Sequence, residues 1–142
     1  MTDQRRMAAA ADCVAPDGSE IRLLVHGERG SLAHCRLAAG ATTFAVQHRS
    51  VEELWFVIGG AGEIRRGYPE GARIDTLEPG VSVRIPTSIP FQFRAHSDLE
   101  IVLATMPPWP GDSEAVRVEG GWSTESESGA AKRGGDASSD RA

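Results

Sequence analysis

Long hydrophobic runs, cysteines and basic charge are all scarce in this chain, and each scarcity closes off a class of protein. No stretch approaches the roughly 20 apolar residues that a bilayer-spanning helix needs, so a helical membrane protein is not expected. The opening MTDQRRMAAAADCVAP sets an arginine pair before a few alanines, but Asp12 ends the apolar run too early for a secretion signal. Cys13 and Cys35 are the only cysteines and have neither C-x-x-C nor metal-knuckle spacing. That excludes a disulfide framework or a cysteine zinc site and points to free thiols in the cytoplasm. With 15 basic and 20 acidic residues the net charge is -5, which disfavours nucleic acid or an anionic membrane surface as a partner. The pairs Arg5–Arg6 and Arg65–Arg66 read as solvated surface arginines. Helical periodicity is also missing along the chain.

What is present is a succession of short β-like runs parted by Gly and Pro. A chain of 142 residues suits a single domain with one core. Residues 1–18 read as an irregular arm with a turn at Pro16-Asp17-Gly18, residues 19–122 as a barrel, and residues 123–142 as a disordered tail without apolar surface to offset ordering entropy. Strands are expected over Ser19 to His26, Ser31 to Leu37, Thr43 to Arg49, Glu53 to Ile58, Arg73 to Leu77, Val81 to Ile85, Phe91 to Ala95 and Asp98 to Thr105. Gly62 marks a bend in the run that follows Gly60. Val116-Arg117-Val118 could add an edge strand, and the proline-rich MPPWPG should cap the barrel, with Trp109 as a lid or a cover for the core. In Ser31 to Leu37 the smaller set Ala33, Cys35 and Leu37 is assigned to the interior, which leaves His34 facing outward. Arg65 and Arg94 are also phased outward.

The chemistry concentrates between Gly40 and Gly60, GATTFAVQHRSVEELWFVIGG. A side-chain period of two puts Phe44, Val46 and His48 on one face of one strand and Glu53, Trp55 and Val57 on one face of the next. If these strands pair, His48 and Glu53 meet inside, while Glu52 faces the other way. Phe91, Phe93 and Ala95 likewise share a face, so two rings are expected to enter the interior.

This spacing resembles the first motif of the cupin superfamily, which runs Gly, five residues, His-x-His, three or four residues, Glu, six residues, Gly. Gly40, His48, Glu53 and Gly60 fall in register, and Gly80 and Pro86 match the second motif. Val46 and Phe91 stand where that pattern has metal-binding histidines, Ser88 where it has Gly, and Ala95 where it has Asn. The resemblance implies an all-β fold, the double-stranded β-helix or jelly-roll barrel of cupins, over roughly residues 19 to 119. Cupins typically hold a divalent transition metal with three His and one Glu, and here only His48 and Glu53 remain. No cofactor is therefore expected, and any metal would be held by those two residues.

Three functions stay open. In the first, the barrel is a metal-independent isomerase, epimerase, cyclase or lyase, with His48 as general base and Glu53 as its orienting partner. In the second it binds a small organic molecule without changing it. In the third it is a metal-dependent oxygenase or lyase with a non-standard ligand set. Val46, Trp55, Phe91 and Phe93 are the candidate substrate-binding residues, though the same side chains could simply pack as core. A homodimer is implied only by the resemblance.

Overall fold

The computed structural model describes residues 3–124, so the tail beyond Thr124 lies outside the described residues. Its elements are eleven strands and one 3-10 turn. They are β1 (Cys13–Val14), β2 (Glu20–His26), β3 (Ser31–Leu37), β4 (Val46–His48), β5 (Glu52–Gly59) and β6 (Gly62–Tyr68), then β7 (Gly71–Leu77), β8 (Ser82–Ile85), β9 (Phe91–Ala95), β10 (Leu99–Met106) and β11 (Ala115–Arg117). The 3-10 turn spans Asp112–Glu114. All pairings are antiparallel.

Two sheets face each other. One has the order β1-β2-β3-β10-β5-β8 and the other β11-β4-β9-β6-β7. The reason is visible in the alternation: β5 buries Glu53, Trp55 and Val57 and exposes Leu54, Phe56 and Ile58, and β10 buries Leu99, Ile101, Leu103 and Thr105. One face of each strand is thus given to the interior and the other left outside. Between the sheets lies an apolar core that includes Leu37, Ile64, Leu77, Ile85 and Ile101. The architecture is all-β, as the strand pattern implies, and is the jelly roll that the cupin resemblance implies.

The turn after β5 requires glycine. Gly60 has φ +79°, and a Cβ there would lie 2.0 Å from the Asp98 carbonyl oxygen. A Cβ at Gly62 would lie 2.1 Å from the Arg94 carbonyl oxygen, so the corner between the sheets closes only where no side chain intervenes.

Several expectations change. The strand expected from Thr43 is regular only over Val46–His48, and Phe44 leaves the inner face to lie under the Arg117 guanidinium, 3.6 Å from its ring centroid. β4 and β5 do not pair; they belong to opposite sheets, because the connection from Arg49 to Val51 carries the chain across the barrel instead of folding it back as a hairpin. His34 does take the outer phase, but it is 3 % exposed and contacts Glu100 Oε1 through Nε2 at 2.9 Å. Beside it in register, Arg22 is strapped by the Ala8 and Ala9 carbonyls of the arm. Arg66 is no surface arginine either, being 9 % exposed, paired with Asp75 and donating to the Arg84 carbonyl at 2.9 Å. The arm also contributes β1, which extends the first sheet through Cys13 and Val14.

Candidate functional site

One end of the barrel opens into a cavity of about 550 Å³. Its wall is mostly apolar and aromatic, with Val46, Trp55, Phe91, Phe93 and Trp109 among the lining side chains. The rings lock one another. Trp55 meets Phe93 edge-on at 4.9 Å between centroids and Phe91 at 5.8 Å, while His48 meets Phe91 at 5.2 Å and Trp109 at 5.4 Å. Such T-shaped contacts match the positive edge of one ring to the negative face of another.

His48 at the end of β4 and Glu53 at the start of β5 project into this cavity from opposite sheets. Both are buried, at 3 % and 6 % exposure. Glu53 Oε2 stands 3.9 Å from His48 Nε2, too far for a hydrogen bond, and Glu53 Oε1 accepts instead from Trp55 Nε1 at 2.9 Å. The hydrogen bond by which Glu53 is expected to orient His48 is therefore not formed, and the imidazole packs edge-on against the Phe91 and Trp109 rings. His48 Nδ1 is buried without a hydrogen-bond partner among the described residues.

Electrostatics makes this pair unusual. Burial pushes Glu53 up to about 8, against a smaller lowering by the Trp55 hydrogen bond, and the nearby Asp17 and Glu114 add to the rise. Burial also lowers His48 to about 4, only partly opposed by Glu114. Although the 3.9 Å separation is that of an ion pair, burial favours the neutral form of each group, the carboxylic acid of Glu53 and the unprotonated imidazole of His48. One oxygen or nitrogen of a ligand, placed off the line between them, can reach both.

Three further carboxyls bear on the site that sequence patterning left out: Asp17 and Asp112 in the cavity lining, and Glu114. Asp17 reaches the cavity from the arm. Glu114, 4 % exposed, accepts from Ser50 N at 2.5 Å, Ser50 Oγ at 2.8 Å and Val51 N at 2.7 Å, and so fixes the loop that joins His48 to Glu53. Trp109, expected as a lid or a cover, lies against His48, and its amide donates to Ser31 Oγ at 3.0 Å. Cys35 also lines the cavity, where burial pushes its thiol pKa well up and leaves it a poor nucleophile.

The donor set does not close a standard cupin metal site. Val46 and Phe91 occupy the two missing histidine positions directly opposite each other across β4 and β9. Among the described residues, no group of three or more His, Cys, Asp or Glu is arranged to hold a metal ion. The residues present therefore do not fit the metal that a cupin typically carries.

These features define the class: a cupin-fold barrel, confirmed by solved structures of similar shape. Oxalate decarboxylase from Bacillus subtilis, in a variant with one tryptophan replaced by phenylalanine, superposes with a TM-score of 0.69 at 17% identity, covering 83% of this chain and 33% of that one. The pH 4.6 structure of the same enzyme gives 0.69 and 17%, over 83% of this chain and 32% of that one. KdgF from Halomonas sp. gives 0.61 and 17%, over 75% of this chain and 89% of that one. The chain thus spans about a third of the oxalate decarboxylase chains it matches, and likeness at this identity concerns the fold. No protein-family model matches the chain, and no curated protein matches it. No helix among the described residues is long and apolar enough to cross a membrane.

Proposed function

We propose that the barrel binds a small, largely apolar organic molecule and moves protons on it without a metal, in the manner of an isomerase, cyclase or lyase. The observation that carries this reading is the buried pair of Glu53 acid and His48 base, 3.9 Å apart at an aromatic-walled cavity. In such a pair the usual order of pKa values is inverted, so Glu53 holds the proton to be delivered while His48 is free to accept one at neutral pH. Val46, Trp55, Phe91 and Phe93 contact the ligand's apolar body. Oxalate decarboxylase, by its name, acts on oxalate, and the structures of that enzyme include work on its Mn(II) centres. A small dianion suits this cavity poorly, because its wall sets the Asp17, Glu53 and Asp112 carboxyls and an aromatic surface against a single arginine, the exposed Arg5.

The test begins with native mass spectrometry of protein purified without chelator. Any retained organic ligand is then incubated with the protein in D2O. Solvent exchange at a carbon of that ligand is expected, and Glu53→Gln or His48→Gln should slow it by about a hundredfold or more while binding persists. Binding without exchange would support the non-catalytic reading. A stoichiometric metal adduct lost in both variants would overturn the metal-independent one.

The protein also pairs with a second copy in this reading, through the outer face of β5. Leu54, Phe56 and Ile58 are 46 %, 49 % and 47 % exposed there in period-two register, a continuous apolar stripe of the kind that marks an interface. In a two-fold dimer each substitution counts twice. Leu54→Ser with Phe56→Ser should raise the dissociation constant at least about a hundredfold, as read by sedimentation. A monomeric native chain, or a variant that dimerises as well, would refute it. A cytoplasmic setting fits the two free thiols, Cys13 and Cys35.

A further inference from the structure

A second carboxyl reaches the cavity by a route that the barrel strands do not supply. The arm turns through Ala15 to Ser19, closed by Gly18 N to the Ala15 carbonyl at 2.8 Å and Ala15 N to the Ser19 carbonyl at 2.8 Å. Phe44 N donates to the Asp17 carbonyl at 2.9 Å and ties this turn to the approach to β4. The Asp17 side chain is thereby held at the cavity wall, 8 % exposed. Its Oδ1 accepts from Ser19 N at 2.9 Å and Ser19 Oγ at 2.7 Å, while no other described residue hydrogen-bonds Oδ2.

A buried carboxyl normally sits opposite a cation, because an uncompensated charge in an apolar setting costs several kcal/mol. Here neither Asp17 nor Glu53 has a Lys or Arg within ion-pairing distance among the described residues. Arg117, the arginine that acts on Asp17, lies on Phe44 and donates to the Pro16 carbonyl, and Arg5, at the cavity wall, faces Asp12 at 4.0 Å. Burial accordingly raises Asp17 more than Arg117 and Ser19 lower it. The imidazole of His48, 3 % exposed and lining the same cavity, makes no side-chain hydrogen bond to a described residue. The wall also presents Asp112 and the rings of Trp55, Phe91, Phe93 and Trp109, and aromatic ring faces attract cations when water is excluded.

Resting on the small-molecule reading of this cavity, we infer that its ligand carries an organic cation, an ammonium or a like group, held by the Asp17 carboxylate against the aromatic wall. Glu53 and His48 then act on the uncharged part of the molecule. Asp17 determines specificity in this arrangement and takes no part in the proton transfer. An anionic ligand would meet Asp17, Glu53 and Asp112 with only the exposed Arg5, which already faces Asp12, to offset them, and a neutral one would leave Asp17 without its counter-charge.

The 15N-labelled full chain, titrated at pH 7.5, separates these ligand classes through the indole N–H resonances of Trp55 and Trp109. The probes are benzyltrimethylammonium, which carries a permanent charge, benzyl alcohol and benzoate. The cation should bind at least about tenfold more tightly than the alcohol, with benzoate weakest. Asp17→Asn keeps an oxygen for the two Ser19 hydrogen bonds. It should weaken the cation about tenfold or more and leave the alcohol within about twofold. If the alcohol matches the cation, or Asp17→Asn weakens both alike, the cation inference falls and the small-molecule reading stands. If neither indole resonance responds to any probe, both fall together.

Discussion

Replacing Glu53 with Gln is expected to remove much of the stability loss that the protein suffers above neutral pH. Glu53 titrates near 8 in the folded chain against an ordinary 4.5, so its contribution is fully present below pH 4.5 and is lost as pH rises towards 8. His48 behaves oppositely, with about 4 against an ordinary 6.5, so its contribution is present above pH 6.5 and is lost as pH falls towards 4. Between pH 4.5 and 6.5 the unfolded chain carries a charged His and Glu while the folded one carries both neutral. Proton counts of the pair are then equal, and the pair adds no slope to stability. Above pH 6.5 only the folded chain retains the Glu53 proton, and stability falls by about 2 kcal/mol by pH 8. Relative to the native chain, Glu53→Gln should gain on the order of 4 to 5 kcal/mol between pH 4.5 and 8. The raised Asp17 acts in the same direction and remains in both proteins. Urea unfolding midpoints at pH 4.5, 6.5 and 8 measure the difference, and parallel curves for the two proteins would rule out a protonated Glu53.

That pair shows what a sequence can say about this molecule. Period-two alternation identified β5, β9 and β10, because one face of each meets the core and the residues there are apolar or, at Glu53, buried despite their polarity. It also placed Val46, Trp55, Phe91 and Phe93 at the interior, where all four line the cavity. Alternation reports which face a residue takes and nothing of what covers that face. His34 and Gln92 both take the outer phase, yet both are buried. His34 contacts Glu100, and Gln92 holds the chain at Trp122 through its amide, with Nε2 to the Trp122 carbonyl at 2.7 Å and Trp122 N to Oε1 at 2.9 Å. Pairing was equally hidden. The nearness of His48 and Glu53 in the chain suggested a hairpin, but the two residues approach from separate sheets, so their distance is set by barrel width and not by strand register. Asp17 and Glu114 escaped because they stand in a turn and a 3-10 segment, where no periodicity marks an inward side chain.

Glu114 is where the other large effect is expected. Its carboxylate takes three hydrogen bonds from Ser50 and Val51, its backbone carbonyl accepts from Arg49 N at 2.9 Å, and the neighbouring Ser113 carbonyl accepts from Arg49 Nε at 2.8 Å. Burial alone would raise its pKa, but the hydrogen bonds from Ser50 and Val51 outweigh it, so the carboxyl titrates below its ordinary range. Val51 is fully buried, so Glu114→Ala strands its N–H without water or acceptor. The loss should be about 3 kcal/mol, or roughly a 10 °C drop in Tm. Glu114→Gln keeps one acceptor oxygen but sets an amide NH2 among donors, so it should recover only part of that stability. Because the clamped loop carries His48 at one end and Glu53 close to the other, Glu114→Ala should also shift the Trp55 indole N–H resonance, which reports the hydrogen bond to Glu53. A Tm within a degree or two of the native value would mean that the loop is held by the strands on either side. The 3-10 turn would then be packing on the barrel without shaping its site.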